Sequence, residues 1–170
     1  TEYFIILPVK KNARYIFLFV FPSLLFILAS CNSNTLNLYE KTQPFPQHVW
    51  KRSEKVTITF DITDTLSHYN VYAVFRHLDA YHFNNIWVDI TTSDPLKKQV
   101  TERANLPLGD DAKGWLGAEM NDIIEHRISL YAEPVKLKKG TYTFSLQHIM
   151  REDPLQNIMN AGIRVEKVPE

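Results

Sequence analysis

The sequence predicts an all-β fold: a single β-sandwich or jelly-roll-like domain of about seven or eight antiparallel strands over residues 56–168, behind a signal peptide and a polar tether. Three observations carry this. From Val56 onward the apolar residues recur with a period of two. Turn-forming clusters interrupt them every eight to twelve residues or so, the rhythm of sandwiches and barrels. Hardly any segment after residue 56 carries a helical period.

The elements follow in order. Val56, Ile58, Phe60 and Ile62 alternate with Thr57, Thr59, Asp61 and Thr63, a half-buried strand closed by a turn over 64–68. Residues 69–78 form a longer β-rich run, apolar on both faces in part, and 82–85 form another turn. Ile86, Val88 and Ile90 alternate with Trp87, Asp89 and Thr91, until Ser93-Asp94-Pro95 ends the strand. Residues 99–103 read as an edge strand, and 106–117 as a loop holding three of the five glycines. Ile124, His126, Ile128 and Leu130 mark the next strand; Tyr142, Phe144, Leu146, His148 and Met150 mark one face of another, after the Lys138-Lys139-Gly140 turn. Residues 153–160 fit one helical turn or an ordered loop, and Ile163 and Val165 start a last short strand.

The N-terminal thirty residues have a different logic. Lys10, Lys11 and Arg14 precede an uncharged run from Tyr15 to Leu28, and Leu28-Ala29-Ser30-Cys31 follows. A basic end, an apolar stretch and small residues before a cut make a secretory signal peptide over 1–30, with 1–9 read as a start-site artefact. The L-A-S-C order matches a bacterial lipobox, so Cys31 is the expected lipidation site and the first residue of the mature chain. The rival, a membrane span ending near Cys31, would be short and broken by Pro22. Residues 31–55, rich in Asn, Ser and Thr with Pro44 and Pro46, read as the lipid-anchored tether, with Val49-Trp50 beginning to pack onto the domain.

Charge narrows the function classes. Of 19 Lys and Arg and 19 Asp and Glu, three basic and one acidic residue precede Cys31, leaving sixteen against eighteen. A nearly neutral domain carries no nucleic-acid footprint. With Cys31 as the sole cysteine there is no internal disulfide and no thiol catalysis, and stability must come from a packed core. No nucleophile elbow or comparable catalytic motif is present, so the chain reads as non-enzymatic.

Neither the histidines nor the aspartates show the spacing of a metal site. His77 and His82, with Asp79 between them, lie around one turn and read as surface or turn histidines; a zinc site needs three or four converging ligands. His126 and His148 fall on apolar registers, where they cap the core edge or pair with each other. Asp110 and Asp111 lie in a Gly-rich loop without EF-hand spacing and read as solvated. No metal and no cofactor is therefore expected. Trp87, Trp115 and Tyr131 are the candidate partner or ligand surface: Trp87 is out of phase with its apolar neighbours, and Trp115 sits between Gly114 and Gly117. Exposed aromatics on a sandwich face stack on sugars or anchor a protein interface. A lipid-anchored carbohydrate-binding module is accordingly the alternative function, and packing against the second sheet or a loop the structural one.

Four segments carry a resemblance: Phe83-Asn84-Asn85-Ile86-Trp87, Gly114-Trp115-Leu116-Gly117, Gly140-Thr141-Tyr142-Thr143-Phe144-Ser145-Leu146-Gln147-His148-Ile149-Met150-Arg151, and Ala161-Gly162-Ile163-Arg164-Val165-Glu166-Lys167, with the lipobox in front. In this order and spacing the chain resembles the gliding-motility lipoprotein GldH family of the Bacteroidetes, from Lys10 to Lys167. One departure stands out: where the family pattern often has another glycine soon after W-L-G, this chain has Ala118-Glu119-Met120. The resemblance implies a non-catalytic lipoprotein held in the membrane through Cys31. It further implies an outer-membrane location, a link to the type IX secretion system, and other gliding or secretion envelope proteins as partners. The absence of an acidic run at Asn32-Ser33-Asn34 leans towards the periplasmic face.

Overall fold

In the computed structural model, residues 38–168 are described. The expected signal peptide, the expected lipidation site Cys31 and the first residues of the expected tether lie outside them. Eight strands have seven or more residues: β1 (Leu38–Pro44), β2 (Val56–Ile62), β3 (His68–Leu78), β4 (Asn85–Ser93), β5 (Gln99–Pro107), β6 (Ile123–Ser129), β7 (Gly140–His148) and β8 (Ile158–Lys167). They form two sheets, in the orders β1-β8-β3-β6 and β2-β7-β4-β5, and every pairing is antiparallel. Only β4 and β5 follow each other within one sheet; every other connection crosses the sandwich. This is the strand order of a jelly roll, so the expected fold class is the observed one. Short pieces extend the first sheet: Ala118–Met120 beside β6 and Val135–Lys136 beside the start of β3.

Alternation builds the core. In β2 Val56, Ile58, Phe60 and Ile62 are buried while Thr57, Thr59 and Asp61 face out. They pack with Tyr142, Phe144 and Leu146 of β7 and Ile86, Val88 and Ile90 of β4. Val71, Ala73 and Phe75 of β3 and Ala161, Ile163 and Val165 of β8 close the core from the other sheet. Fully burying such side chains contributes roughly 1.5–3 kcal/mol each, before ordering entropy is subtracted.

Three expectations are corrected. The tether does not run to residue 55: from Leu38 the chain is edge strand β1, paired along β8 from Leu38↔Glu166 to Pro44↔Asn160. Beyond it Phe45 is in the core, and so is Trp50, whose packing was expected; Val49–Trp50 pairs with Leu155–Gln156. The sandwich therefore begins at 38. The last strand is not short: β8 spans ten residues and lies between β1 and β3. The 106–117 segment is not open loop: Gly109–Asp110 pairs with Gly114–Trp115 in a small hairpin.

The strands give the sandwich two ends. At one, Leu38 faces Glu166, β3 begins, and Lys167 pairs with Asp64 at 2.8 Å. At the other, β1 finishes at Pro44, His148 closes β7 against Val88, and Phe45 stacks on Trp50.

Candidate functional site

At that second end, the β3–β4 connection is fixed by its own backbone. The N–H of Tyr81 donates to Leu78 O at 2.9 Å, that of Asp79 to Asp122 O at 2.8 Å, and the Asn157 amide to Ala80 O at 2.8 Å. The Tyr81 hydroxyl donates to Asn85 O at 3.1 Å, placing Phe83 edge-on to the Tyr81 ring. β4 then starts with Ile86 and Val88 wholly buried, so the alternation turns Trp87 outward, 40% exposed. Its backbone is held by the end of β7: the Ile149 N–H donates to Trp87 O at 2.9 Å, and the Trp87 N–H reaches Met150 Sδ at 3.1 Å.

Around Trp87 lies a cleft of about 620 Å³, lined by Phe83, Asn85, Trp87, Arg103, Ile149, Met150 and Arg151. Phe83, Trp87, Ile149 and Met150 give it apolar walls. The polar members differ in what remains free. The Asn85 amide donates to Asn105 Oδ1 at 2.7 Å, and the Arg103 guanidinium forks onto Asp89 at 2.9 and 3.1 Å. Arg151 is exposed and has no hydrogen bond or ion pair among the described residues.

Trp115 lies on the other side of the 83–85 loop. Gly114, at φ +76, makes the tight turn of its hairpin, in a conformation that costs a side-chain-bearing residue strain. Both Leu108 and Gly109 donate to Asn84 O at 2.8 Å, which ties the hairpin to the loop. The turn does not present Trp115 to solvent. The ring is half-buried, stands edge-on to His77 at 4.4 Å, and donates its indole N–H to Asp79 Oδ1 at 2.6 Å.

Beneath it is a buried histidine pair. His77 Nδ1 lies 2.7 Å from Leu78 O, and a carbonyl only accepts, so Nδ1 carries the proton. In the neutral ring His77 Nε2 is then an acceptor, and His126 Nε2, 2.9 Å away, donates to it. The rings stack at 5.0 Å. Burial lowers the pKa of both, and the neighbouring His77 adds to the fall at His126, which reaches about 4. The pair is neutral at pH 7. These findings correct two expectations: His77 is wholly buried rather than on a surface turn, and His126 pairs with His77 rather than with His148. His148 sits in the other sheet, edge-on to Trp50 at 5.0 Å.

Tyr131 is at the opposite end of the sandwich. Its ring is half-buried against the core, and burial, with Glu102 nearby, raises its pKa. The three aromatics singled out from sequence thus do not form one surface: Trp87 and Trp115 flank one loop, and Tyr131 is far from both. Asp110 is used locally, accepting the N–H groups of Ala112 and Lys113 at 2.9 and 3.0 Å. Among the described residues no three His, Cys, Asp or Glu side chains converge as metal ligands. Sequence reasoning missed the partners of Trp87. Phe83 was legible as part of the Phe83-Asn84-Asn85 turn, but Met150 and Arg151 reach the site only because β7 pairs with β4.

The family model described as GldH lipoprotein matches residues 37–165. A gliding motility lipoprotein GldH homolog of Christiangramia forsetii is 25% identical over 165 residues, 92% of this chain and 98% of the relative. The gliding motility lipoprotein GldH of Flavobacterium johnsoniae is 24% identical over 125 residues, 69% of this chain and 77% of the relative. Among solved structures, the insecticidal delta-endotoxin Cry8Ea1 of Bacillus thuringiensis superposes with TM-score 0.39 at 8% identity, over 76% of this chain and 20% of the toxin. A carbohydrate-binding module specific for non-crystalline cellulose gives TM-score 0.37 at 9% identity, over 76% of this chain and 69% of the module. At these scores neither superposition bears on function.

Proposed function

The chain belongs to the GldH lipoprotein family, and on that premise we propose that it is a non-enzymatic accessory lipoprotein of a gliding-motility apparatus. The observation that carries this reading is the family match over 37–165, which spans nearly all of the jelly roll, joined to relatives named as gliding motility lipoproteins along most of their length. The described residues support a structural role. The buried His77 and His126 are spent on a bond to each other, and the exposed aromatic surface lies in a cleft framed by apolar side chains and arginines.

In this reading Cys31 carries the lipid and holds the domain at the outer membrane, on its periplasmic face. Stable anchoring takes two or more acyl chains, which a diacylglyceryl cysteine supplies. The domain then acts as a scaffold or stabilising subunit for envelope proteins of the gliding and type IX secretion machinery. The test is recovery of the anchored protein from native membranes under gentle solubilisation. Gliding or secretion components should come with it, and Cys31→Ser should move the protein out of the membrane fraction and abolish palmitate incorporation. Recovery of the wild-type protein alone would count decisively against the reading.

A further inference from the structure

We propose that the Trp87 cleft is a docking pocket for a protein partner, and that it takes an apolar side chain next to a carboxylate on an acidic segment of that partner. The inference rests on the reading of the chain as an assembly subunit and names the chemistry of the partner's contact. Three observations converge on it.

The first is composition. Trp, Phe, Met and Arg are the residues enriched at the cores of protein interfaces, and Phe83, Trp87, Met150, Arg103 and Arg151 all line this one cleft. The second is preorganisation. Trp87 is fixed through its backbone to Ile149 and Met150, and the Phe83 loop is fixed through Tyr81, so a ligand meets apolar walls that need little ordering. The volume, about 620 Å³, lies within the range of pockets that enclose small ligands and anchoring side chains.

The third is charge. Asp89 already satisfies Arg103, whereas Arg151 has no partner among the described residues, so the site carries an uncompensated guanidinium beside apolar walls. A carboxylate fits that fork bidentately. A sugar would need several free planar hydrogen-bonding groups around the indole. Here the Arg103 fork is held by Asp89 and one Asn85 N–H is spent on Asn105, which favours the peptide over the glycan.

Fluorescein-labelled hexapeptides test this against the full processed chain in detergent. One set carries Phe or Leu beside Asp or Glu; a second carries Asn or Gln in place of the acid; an oligogalacturonate is the glycan probe. The acidic set should bind saturably below about 1 mM. Arg151→Gln should weaken it about tenfold while leaving the neutral set unchanged, and Trp87→Ala should weaken both sets about tenfold. Both positions are exposed, and a thermal melt verifies that the variants fold. No saturable binding, equal loss of both sets on Arg151→Gln, or tighter Trp87-dependent binding of the oligogalacturonate would each overturn the proposal. Membrane recovery separates this from the broader reading. If wild-type protein brings its partners and both variants bring them equally, the pocket assignment fails and the assembly role stands. If wild-type protein brings none, the assembly role itself fails.

Discussion

Replacing Trp50 with Ala tests where the folded domain begins. Trp50 has no exposed surface; it stacks on Phe45 at 4.9 Å, meets Phe75 at 6.4 Å and His148 edge-on at 5.0 Å, and donates its indole N–H to Glu54 O at 2.7 Å. An indole buries about 200 Å², which at ~25 cal/mol/Å² is ~5 kcal/mol of transfer free energy. Trp→Ala changes in cores cost about 3–5 kcal/mol, against a total stability of about 5–15 kcal/mol for a domain. With a urea m-value of about 2 kcal/mol/M, a loss of ~4 kcal/mol lowers the unfolding midpoint by about 2 M. Trp50→Phe should cost far less, with about 1 kcal/mol of it from the lost bond to Glu54. Urea unfolding of the processed chain, followed by far-UV circular dichroism, reads both variants. A tether residue would shift stability by less than about 0.5 kcal/mol, and that result for Trp50→Ala would refute the inclusion of residues 38–50 in the sandwich.

The other predictions rest on the same packing. Burial holds His126 at about 4 and lowers His77 as well, while the unfolded chain titrates near 6.5. The unfolded state therefore binds more protons below about pH 6.5, so stability is flat above that pH and falls down to about pH 4. For His126 alone the loss approaches about 3 kcal/mol; thermal melts from pH 7.5 to 4.5 should show it, and His126→Gln should flatten the curve. Gly162→Ala would put a Cβ 2.1 Å from Lys41 O and 2.6 Å from Thr42 Cα, so β1 must move away from β8. A loss of about 3 kcal/mol and fast amide exchange along 39–43 should follow. Trp115→Ala should uncover His77 and remove the Asp79 bond, costing about 2 kcal/mol and raising the pH at which the histidine pair titrates by NMR.

Strands were legible where one face is buried and the other wet, as in β2, whose burial alternates at every residue. β1 was not, because it is an edge strand whose Glu40, Lys41, Thr42 and Gln43 read as tether. Their value is set by β8: Glu40 reaches Arg164 at 2.7 Å and Arg76 at 3.3 Å, in a charge ladder that exists only once three strands are adjacent. β8 was underestimated because Asn160 and Gly162 interrupt its apolar alternation. Trp87 was visible as the residue out of phase with Ile86 and Val88. The histidine pair was invisible for a different reason. It needs β3 beside β6 in the register that sets Ile124 against His77 and His126 against Phe75, and local sequence carries no register between strands so far apart.

The proposed anchor and the topology together imply a direction for the cleft. The chain enters the sandwich at Leu38, opposite Glu166, and β1 runs seven residues, about 20 Å, towards the end that holds Trp87. Only six residues separate Cys31 from Leu38, a reach of at most about 25 Å when fully extended. With the proposed lipid on Cys31, the entry of the chain at Leu38 predicts that the Tyr131 end lies nearer the bilayer than the Trp87 end. Because Cys31 is the sole cysteine and would be acylated, a second cysteine can carry a fluorophore selectively. Glu133→Cys labels the Tyr131 end and Arg151→Cys the cleft, both at exposed positions. In liposomes doped with a headgroup-labelled acceptor lipid, energy transfer should be stronger from position 133 than from position 151. Equal transfer, or the reverse order, would mean that the domain lies along the bilayer or is inverted, and the outward-facing cleft would have to be abandoned.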